Sequence, residues 1–300
     1  MTALTAATVL GLIDEVAAQL ESAGLTLADG FGQGTLNAFD EAAWLVMWRL
    51  GLPLDDLDSV ANNAVTPGQR AEVATLLIAR ITTRKPLAYL TQEAWLQGVP
   101  FYVDERVIIP RSLIAELLVD ESIDAWLSEE THRVLDLCTG NGSLAVLAAM
   151  AWPDVVVDAA DISLDALAVA RINVDRHRLD SRITLVESDG LAACAGGKHG
   201  GYDLILCNPP YVNAATMGTL PAEFKAEPSL ALAGGDDGMD FIRSLFLTAA
   251  AHMSENAVLV LEIGNERGNF ERAFPELEPL WFETSAGPDQ VLLLTRQQLR

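Results

Sequence analysis

The sequence predicts an α/β fold with a mostly parallel sheet, preceded by a small helical domain. In the C-terminal part, aliphatic runs alternate with helical stretches, which is typical of βαβ units joined by right-handed crossovers. In the N-terminal part, apolar residues recur only at spacings of three and four, the period of an amphipathic helix. With 300 residues, half of them hydrophobic, the chain has the length of about two domains.

The N-terminal helical domain is expected to span residues 1–84. Its first helix is predicted in TVLGLIDEVAAQLESAG and its second in NAFDEAAWLVMWRL, which Gly51 ends. The third is predicted in PGQRAEVATLLIARITTR, where Pro67 suits the first turn. The apolar stripes of these helices are explained more simply by a common core than by a binding groove.

Residues 85–110 change to short aromatic and β-branched segments, LAYL, AWLQG and PFYVDERVIIP, which favour a β-hairpin connector. Residues 111–300 are expected to form the α/β domain. Its strands are predicted at RVLDLC, VVVDAAD, RITLVES, YDLILC and AVLVLEIG, with helices between them on both faces of the sheet. LEPLWFETS and QVLLLTR add an antiparallel pair, which makes a seven-stranded sheet.

The composition of the chain bears on three properties: membrane contact, metal binding and nucleic-acid binding. No apolar run approaches the roughly 20 residues of a membrane span, and the N-terminus is acidic, so we expect a cytoplasmic protein without membrane contact. The three cysteines and four histidines lack disulfide or metal-ligand spacing, and no metal is expected. A net charge of −23 disfavours binding to nucleic acid. The acidic surface either serves solubility or suits a basic partner.

A glycine-rich turn follows the first strand of the predicted sheet. Gly140 and Gly142, with Ala145 three residues further on, match GxGxxA. Asp161 follows about 20 residues later, at the end of the second strand. This pattern alone suits two ligands: a dinucleotide, with its pyrophosphate on the helix N-terminus, or S-adenosylmethionine, which has a ribose but no phosphate.

Carboxylates at the ends of three consecutive strands favour S-adenosylmethionine. Asp136, four residues before Gly140, would repel a pyrophosphate but attract the ammonium of a methionine moiety. Asp161 can bind a ribose hydroxyl, and Asp189 can accept from an adenine amino group. The carboxyl ends of parallel strands meet in one crevice, so we expect these carboxylates to lie close together. Alternatively each caps the following loop or helix, which is most plausible for Asp161, before SLDAL.

The tetrapeptide NPPY follows the fourth strand. Transfer of a methyl group from a sulfonium requires a positioned nucleophile and exclusion of water more than it requires a base. The side-chain carbonyl of Asn208 and the backbone carbonyl of Pro209 can accept the two N–H bonds of a planar amide or nucleobase nitrogen, and Tyr211 offers a flat wall. We interpret NPPY as a clamp for an amino group on an sp² carbon. The alternative is that the prolines end a strand and the tyrosine packs.

Four segments resemble one known family over nearly the whole chain: FGQGTLNAFDEAAWLV, YLTQEAWLQGVPFYVDERVIIPRS, LDLCTGNG and LPAEFKAEPSLALAGGDDGMD. The chain resembles class I, Rossmann-like S-adenosylmethionine-dependent methyltransferases of the HemK group, which methylate the side-chain amide nitrogen of glutamine in translation proteins. It is more similar to the PrmB type, whose substrate is ribosomal protein uL3, than to the PrmC type, whose substrates are peptide release factors.

The resemblance also implies roles for individual residues. Contacts to S-adenosylmethionine are implied for Asp136, Cys138, Thr139, Gly140, Gly142, Asp161, Asp189 and Asn208. The substrate amide is implied to lie against Asn208, Pro209, Pro210 and Tyr211, with Asn208, Pro209 and Tyr211 as catalytic residues. Arg111 and Ser112 of IPRS are implied to approach the cofactor, and the helical domain to recognise the protein substrate.

The chain departs from the family pattern at several positions. GQGT, with Gln33, stands in place of GHGT, Asn141 in place of Ser, Ser143 in place of Cys, and RSLI in place of RSPI. Gly190 occupies a position that is often aromatic in the PrmC type, so this residue is not expected to stack on adenine. None of these departures removes an acceptor or a required glycine.

Four functions remain open on the sequence alone. A glutamine methyltransferase acting on uL3 accounts for all motifs together, and release factors are the alternative protein substrate. An adenine-amino methyltransferase would use the same clamp but calls for a basic groove, and the only basic clusters here are ARITTRK and ARINVDRHR. A dinucleotide oxidoreductase leaves NPPY without a role. A noncatalytic ribosome-assembly protein would not need an intact clamp.

Overall fold

The structure, a computed structural model, describes residues 2–27, 30–31, 34–194 and 201–300. Gln33 and one of the four histidines, His199, lie outside the described residues. The chain divides into two compact units, Met1–Glu93 with Leu220–Ala226, and Ala94–Thr219 with Glu227–Arg300. In the described part of the chain, no helix combines the length and the apolar character that crossing a bilayer requires.

The first unit is helical. Its helices are α1 (Val9–Ser22), α2 (Ala38–Leu50), α3 (Leu57–Val60), α4 (Pro67–Thr83) and α5 (Leu87–Thr91). The three long helices predicted from apolar spacing are confirmed, and their apolar stripes form one shared core. Gly51 ends α2 in the left-handed conformation, with φ 66°, and Pro67 lies in the first turn of α4.

The segment LAYL was expected in the connector as a β-type segment, and this prediction is wrong. Leu87–Thr91 forms the short helix α5, which begins after Pro86 and ends at Gln92, with φ 54°. Leu87, Ala88 and Tyr89 are buried in succession. An isolated short apolar run does not distinguish a buried strand from a buried helical turn, and here the surroundings of the run decide its conformation.

The second unit contains a hairpin and a seven-stranded sheet. The hairpin pairs β1 (Ala94–Leu96) with β2 (Val99–Phe101) and confirms the β-hairpin predicted for the connector. The sheet strands are β3 (Arg133–Leu137), β4 (Val156–Asp161), β5 (Ile183–Glu187), β6 (Tyr202–Cys207), β7 (Met253–Glu262), β8 (Leu280–Thr284) and β9 (Gly287–Thr295). The helices are α6 (Ile114–Val119), α7 (Ser143–Ala151), α8 (Leu164–Arg176), α9 (Ala214–Thr219), α10 (Asp240–His252) and α11 (Arg267–Ala273).

The strand order is β5-β4-β3-β6-β7-β9-β8. Strands β3 to β7 pair in parallel, whereas β9 is antiparallel to both β7 and β8. The mostly parallel sheet and the antiparallel last pair are therefore confirmed. The chain runs outward from β3 through β4 and β5, and then returns to β6 on the other side of β3. The strand order consequently reverses between β3 and β6.

The two faces of the sheet are both covered. Alternate residues of one strand contribute to different cores, so that Val134 belongs to one apolar cluster and Leu135 to the other. The first cluster includes Ala145 of α7, and the second includes Ile242 of α10. Because both sides of each central strand are buried, the strands appear in the sequence as continuous aliphatic runs without alternation.

Within the helical unit, Arg80 of α4 is fully buried and forms ion pairs with two carboxylates. Its guanidinium donates to Glu41 at 2.7 Å and to Glu223 at 3.1 Å, and also to the backbone oxygen of Gly30 at 2.7 Å. Burial raises the pKa of Glu41, so its charged form depends on this cation. Arg80 thus stabilises the unit through a buried network.

Replacing Arg80 by Met should lower the free energy of unfolding by about 3–5 kcal/mol, because it leaves Glu41 buried without its cation. The matched control is Arg49→Met, which removes the half-exposed pair with Glu72 and should cost no more than about 1 kcal/mol. Urea unfolding followed by circular dichroism measures both values. Equal losses in the two variants would contradict this role of Arg80.

Candidate active site

A pocket with a volume of about 210 Å³ lies at the carboxyl ends of β3, β4, β5 and β6. Ligands bind at this place in open α/β sheets, beside the reversal of strand order. Six predicted site residues line the pocket: Cys138, Gly140, Asp161, Asp189, Asn208 and Pro210. The others, Asp136, Thr139, Gly142, Arg111, Pro209 and Tyr211, are not part of its wall.

The turn after β3 has an unusual backbone. Cys138, Gly140 and Gly142 all have positive φ, at 62°, 55° and 80°. Gly142 begins α7, and a Cβ there would lie 3.1 Å from the Cβ of Ala170 on α8, so this glycine permits close helix packing. A Cβ at Gly140 would instead meet open space, at a position that lines the pocket. The first glycine therefore opens the pocket, and the second serves packing.

Asp136 lies beneath this turn and is 1% exposed. Its Oδ2 accepts from the Thr139 hydroxyl and from the backbone N–H of Ala145 at 3.0 Å. Its Oδ1 is buried and has no hydrogen-bond partner. Burial, with a smaller contribution from the Asp161 carboxylate, raises the pKa of Asp136 to about 7. This carboxylate organises the turn and retains one buried acceptor for a donor.

Asp161 at the end of β4 does what the capping alternative proposed and also lines the pocket. Its Oδ2 accepts from the N–H of Gly140 and its Oδ1 from the N–H of Ser163, both at 2.9 Å. Burial raises its pKa. Since each carboxylate oxygen has a second lone pair, these bonds leave Asp161 able to accept from a ligand hydroxyl.

Beyond β5, Asp189 is exposed at the pocket, and its side chain forms no hydrogen bond with the described residues. Gly190 beside it has φ 54°, and a Cβ there would have no neighbour within 4 Å. The apolar parts of the wall include Ile162, Leu230 and Phe241, of which Ile162 is 50% and Leu230 59% exposed. The pocket thus combines carboxylates with apolar surface for a flat group.

In NPPY, Asn208 and Pro210 line the pocket, whereas Pro209 is buried behind it. The Asn208 carboxamide forms no hydrogen bond with any described residue, so both its oxygen and its nitrogen remain available to a ligand. Tyr211 directs its hydroxyl to Glu262 Oε1 at 3.2 Å. Burial is the main cause of the raised pKa of Tyr211, which therefore stays protonated.

Arg111 and Ser112 were implied to approach the cofactor, and the structure gives both side chains protein partners. Arg111 forms a two-pronged ion pair with Glu227, at 2.6 and 2.7 Å. Ser112 donates its hydroxyl to Glu262 at 2.6 Å. The residues that line the pocket from this part of the chain are Arg106, Val107 and Ile108, immediately upstream.

Asn173 of α8 was not identified from the sequence. It is fully buried, accepts from the N–H of Tyr102 at 2.7 Å, and donates to the backbone oxygens of Tyr102 and Asn141, at 2.9 and 2.8 Å. It thereby links the segment before the Arg106 wall to the glycine turn. The available signal was an amide next to Val174 in the apolar stripe of a helix, because such a buried amide needs partners.

Cys138 and Cys207 lie at the ends of the neighbouring strands β3 and β6. Leu137 pairs with Cys207 across β3 and β6. A hydrogen bond with the Cys207 thiol, together with burial, raises the pKa of Cys138 well above its usual value. Both cysteines are free. Cys138 is therefore a neutral thiol in the pocket wall, not an activated nucleophile.

Comparison with known proteins agrees with this architecture. Residues 115–236 match the family model described as Methyltransferase small domain. The catalytic domain of hMettl16, in complex with MAT2A 3′UTR hairpin 6, superposes with a TM-score of 0.51 and 12% identity, over 78% of this chain and 84% of that one. The fold is that of the class I methyltransferases, as predicted.

Relatives of similar sequence identify the family within this class. A protein of Bordetella pertussis named Ribosomal protein uL3 glutamine methyltransferase is 49% identical over 97% of this chain and 96% of its own length. Proteins of the same name from Burkholderia pseudomallei and Neisseria meningitidis serogroup A are 49% and 48% identical over 90% of this chain, and over 89% and 88% of their own lengths. The chain belongs to the family of ribosomal protein uL3 glutamine methyltransferases.

Replacing Asp136 by Asn tests the buried carboxyl group. The pKa is raised from 3.8 to about 7 on folding, so the folded state holds a proton that the unfolded state releases. This contribution to stability is complete below the unfolded pKa and is lost as the pH rises toward the folded pKa. Between about pH 5.5 and 8 the wild type should lose about 2 kcal/mol more unfolding free energy than D136N. Parallel stability curves for the two proteins would contradict this explanation.

Proposed function

We propose that this protein transfers a methyl group from S-adenosylmethionine to the side-chain amide nitrogen of a glutamine in large-subunit ribosomal protein uL3. The observation that carries the proposal is the free carboxamide of Asn208, which lines the same pocket as Gly140, Asp161 and Asp189. One wall of the pocket therefore suits a cofactor, and the adjoining wall presents the group that would bind the amide. The names of the relatives supply the substrate.

The chemistry of the pocket fits S-adenosylmethionine. The unpartnered Oδ1 of Asp136 is a buried acceptor of the kind that an ammonium would satisfy. Asp161 would accept from the ribose hydroxyls and Asp189 from the adenine amino group, with apolar contact from Ile162 and Leu230. No cation among the described residues is paired with Asp136 or Asp161. A pyrophosphate beside these carboxylates would be repelled, which disfavours a dinucleotide.

The roles of Asn208, Pro209 and Tyr211 follow from their chemistry. When bound, S-adenosylmethionine supplies a methyl group on a positively charged sulfur. The side-chain oxygen of Asn208 and the backbone oxygen of Pro209 would each accept one N–H of the substrate carboxamide, which orients its nitrogen toward that methyl group. Tyr211 is half-buried next to Pro210 and lies outside the wall of the pocket, and its ring would flank the planar amide from there. Pro210, which lines the pocket, would help to exclude water.

This reaction needs no strong base. Methylation makes the amide nitrogen temporarily cationic, and its proton then leaves to water, so the site only has to position the amide. The neutral Cys138 thiol and the protonated Tyr211 agree with this requirement, because neither competes as a nucleophile. Positioning by the clamp is therefore the main contribution of the chain.

Recognition of the macromolecule is assigned to the helical residues 1–84 and to the charge of the protein. A net charge of −23 favours encounter with a strongly basic protein over a polyanion. We expect this recognition to take place in the cytoplasm, before or during ribosome assembly. The acidic surface, which the sequence alone also explains by solubility, then contributes to the rate of association.

A methyl-transfer assay determines which macromolecule receives the methyl group. Labelled S-adenosylmethionine is offered with uL3, a release factor and ribosomal RNA in separate reactions, and mass spectrometry locates the product. We expect a single methyl group on one glutamine of uL3. Label only in the release factor would agree with glutamine methylation as the reaction but would exclude uL3 as the substrate. Label only in RNA would mean that the clamp holds a nucleobase.

Asn208→Ala should lower kcat by about 100-fold or more, because one of the two acceptors that orient the amide is lost. The matched control is Asn213→Ala, in the same segment, whose side chain bonds Glu266 and does not line the pocket; its kcat should change by less than about 3-fold. Binding of S-adenosylhomocysteine and thermal unfolding confirm that both variants are folded. Unchanged turnover in N208A would remove this residue from the mechanism.

A further inference from the structure

Glu262, the last residue of β7, carries a buried carboxylate to which no role has yet been assigned. The residue is 3% exposed and accepts hydrogen bonds from two separate parts of the chain. Its Oε1 accepts from the Tyr211 hydroxyl at 3.2 Å. Its Oε2 accepts from the Ser112 hydroxyl at 2.6 Å and from the N–H of Leu113 at 2.9 Å. One side chain thus joins NPPY to the segment that precedes α6.

A carboxylate in this position is costly. Burial raises the pKa of Glu262, and no cation among the described residues forms an ion pair with it. Among the described residues, its polar contacts are hydrogen-bond donors, and an apolar side chain of the same size would fill the space at a lower desolvation cost. The hydrogen bonds that Glu262 accepts therefore have to account for a carboxylate at this position.

The surroundings of Tyr211 show how tightly the ring is held. A Cβ at Gly264 would lie 2.5 Å from the ring atom Cε2 of Tyr211. A Cβ at Gly234 would lie 2.7 Å from its Cα, and one at Gly238 would lie 2.3 Å from its backbone oxygen. Backbone packing against these glycines fixes the position of the residue, and the hydrogen bond to Glu262 holds the far end of the ring.

We propose that Glu262 is a positioning residue for methyl transfer, which fixes the plane of the Tyr211 ring through its hydroxyl and anchors that ring to the Ser112–Leu113 backbone. The inference rests on the proposed function, in which Tyr211 forms the wall beside the target amide. An error of about 1 Å in the position of a reacting group can cost about 100-fold in rate, so a fixed wall matters for transfer.

Glu262 should affect transfer and not cofactor affinity. Neither Glu262 nor Tyr211 belongs to the wall of the pocket that Gly140, Asp161 and Asp189 line. Loss of the Tyr211–Glu262 bond should consequently lower kcat while the dissociation constant of S-adenosylhomocysteine stays the same. If Glu262 served only the stability of the fold, its replacement would alter both kcat and this dissociation constant, or neither of them.

The experiment is a double-mutant cycle of Tyr211→Phe and Glu262→Met, measured on whichever acceptor the wild type methylates. Each single variant should lower kcat by about 10- to 100-fold. The double variant should be no slower than E262M within about 2-fold, because both changes remove the same bond. Glu262→Gln should recover most of the activity, since its amide can still exchange a hydrogen bond with the Tyr211 hydroxyl.

The matched control is Tyr202→Phe, which removes another buried hydroxyl bonded to a carboxylate, that of Asp158 at 2.7 Å, at the opposite end of the sheet. It should leave kcat within about 2-fold of the wild type. Full kcat in Y211F would overturn the inference even if E262M did not fold, and so would independent, multiplying effects in the cycle. If the wild type methylates glutamine while Y211F is fully active, the proposed function survives and the inference fails.

Discussion

The site depends on the parallel pairing of β3 with β6. Leu137 is directly opposite Cys207, so the turn after one strand and the NPPY segment after the other begin at the same level of the sheet. A slip of one residue would turn every side chain of a strand to the opposite face and would separate the two loops. The register is held by apolar residues on both faces, which belong to two different cores. Core packing far from the pocket thereby sets the distance between the glycine turn and the NPPY segment.

Buried carboxylates at the strand ends form a second level of organisation. Asp161 and Glu262 end central strands, Asp136 is the last residue but one of β3, and burial raises the pKa of all three. Each is satisfied mainly by backbone N–H groups or hydroxyls rather than by a cation. Charged partners would leave these groups little capacity for a ligand. Hydrogen-bond donors fix the loops and leave lone pairs free at Asp136 and Asp161, which would suit the cationic cofactor of the proposed function.

Local patterns predicted most of the fold. The continuous aliphatic runs identified the strands because a central strand buried on both faces must be apolar throughout. The spacing of three and four identified α1, α2 and α4. The same rules failed at Leu87–Thr91. This apolar run is too short to show a helical or a strand periodicity, and its packing in the folded protein makes it helical.

Sequence reasoning predicted the part of the pocket lining that follows strand ends, because the topology brings strand ends together. It missed Arg106 and its neighbours, which lie in an irregular segment whose position no pattern specifies. It also missed Asn173, a polar residue in the buried stripe of a helix, and Glu262, a polar residue within an apolar run, although both carry a signal. Their partners, Tyr102 and Tyr211, are distant in sequence, and only the structure shows which donors they meet.

The clamp itself explains the reaction better than it explains the choice of substrate. Two acceptors and a flat wall fit any planar amino group, so a carboxamide and an adenine amino group satisfy Asn208, Pro209 and Tyr211 equally. Selectivity has to arise where the two classes of substrate differ, which is in their charge. A protein with a net charge of −23 repels the sugar-phosphate backbone of a nucleic acid and attracts a basic protein. Under the proposed function, the electrostatic field of the protein would therefore select the macromolecule, and the clamp would only orient the nitrogen that this macromolecule presents.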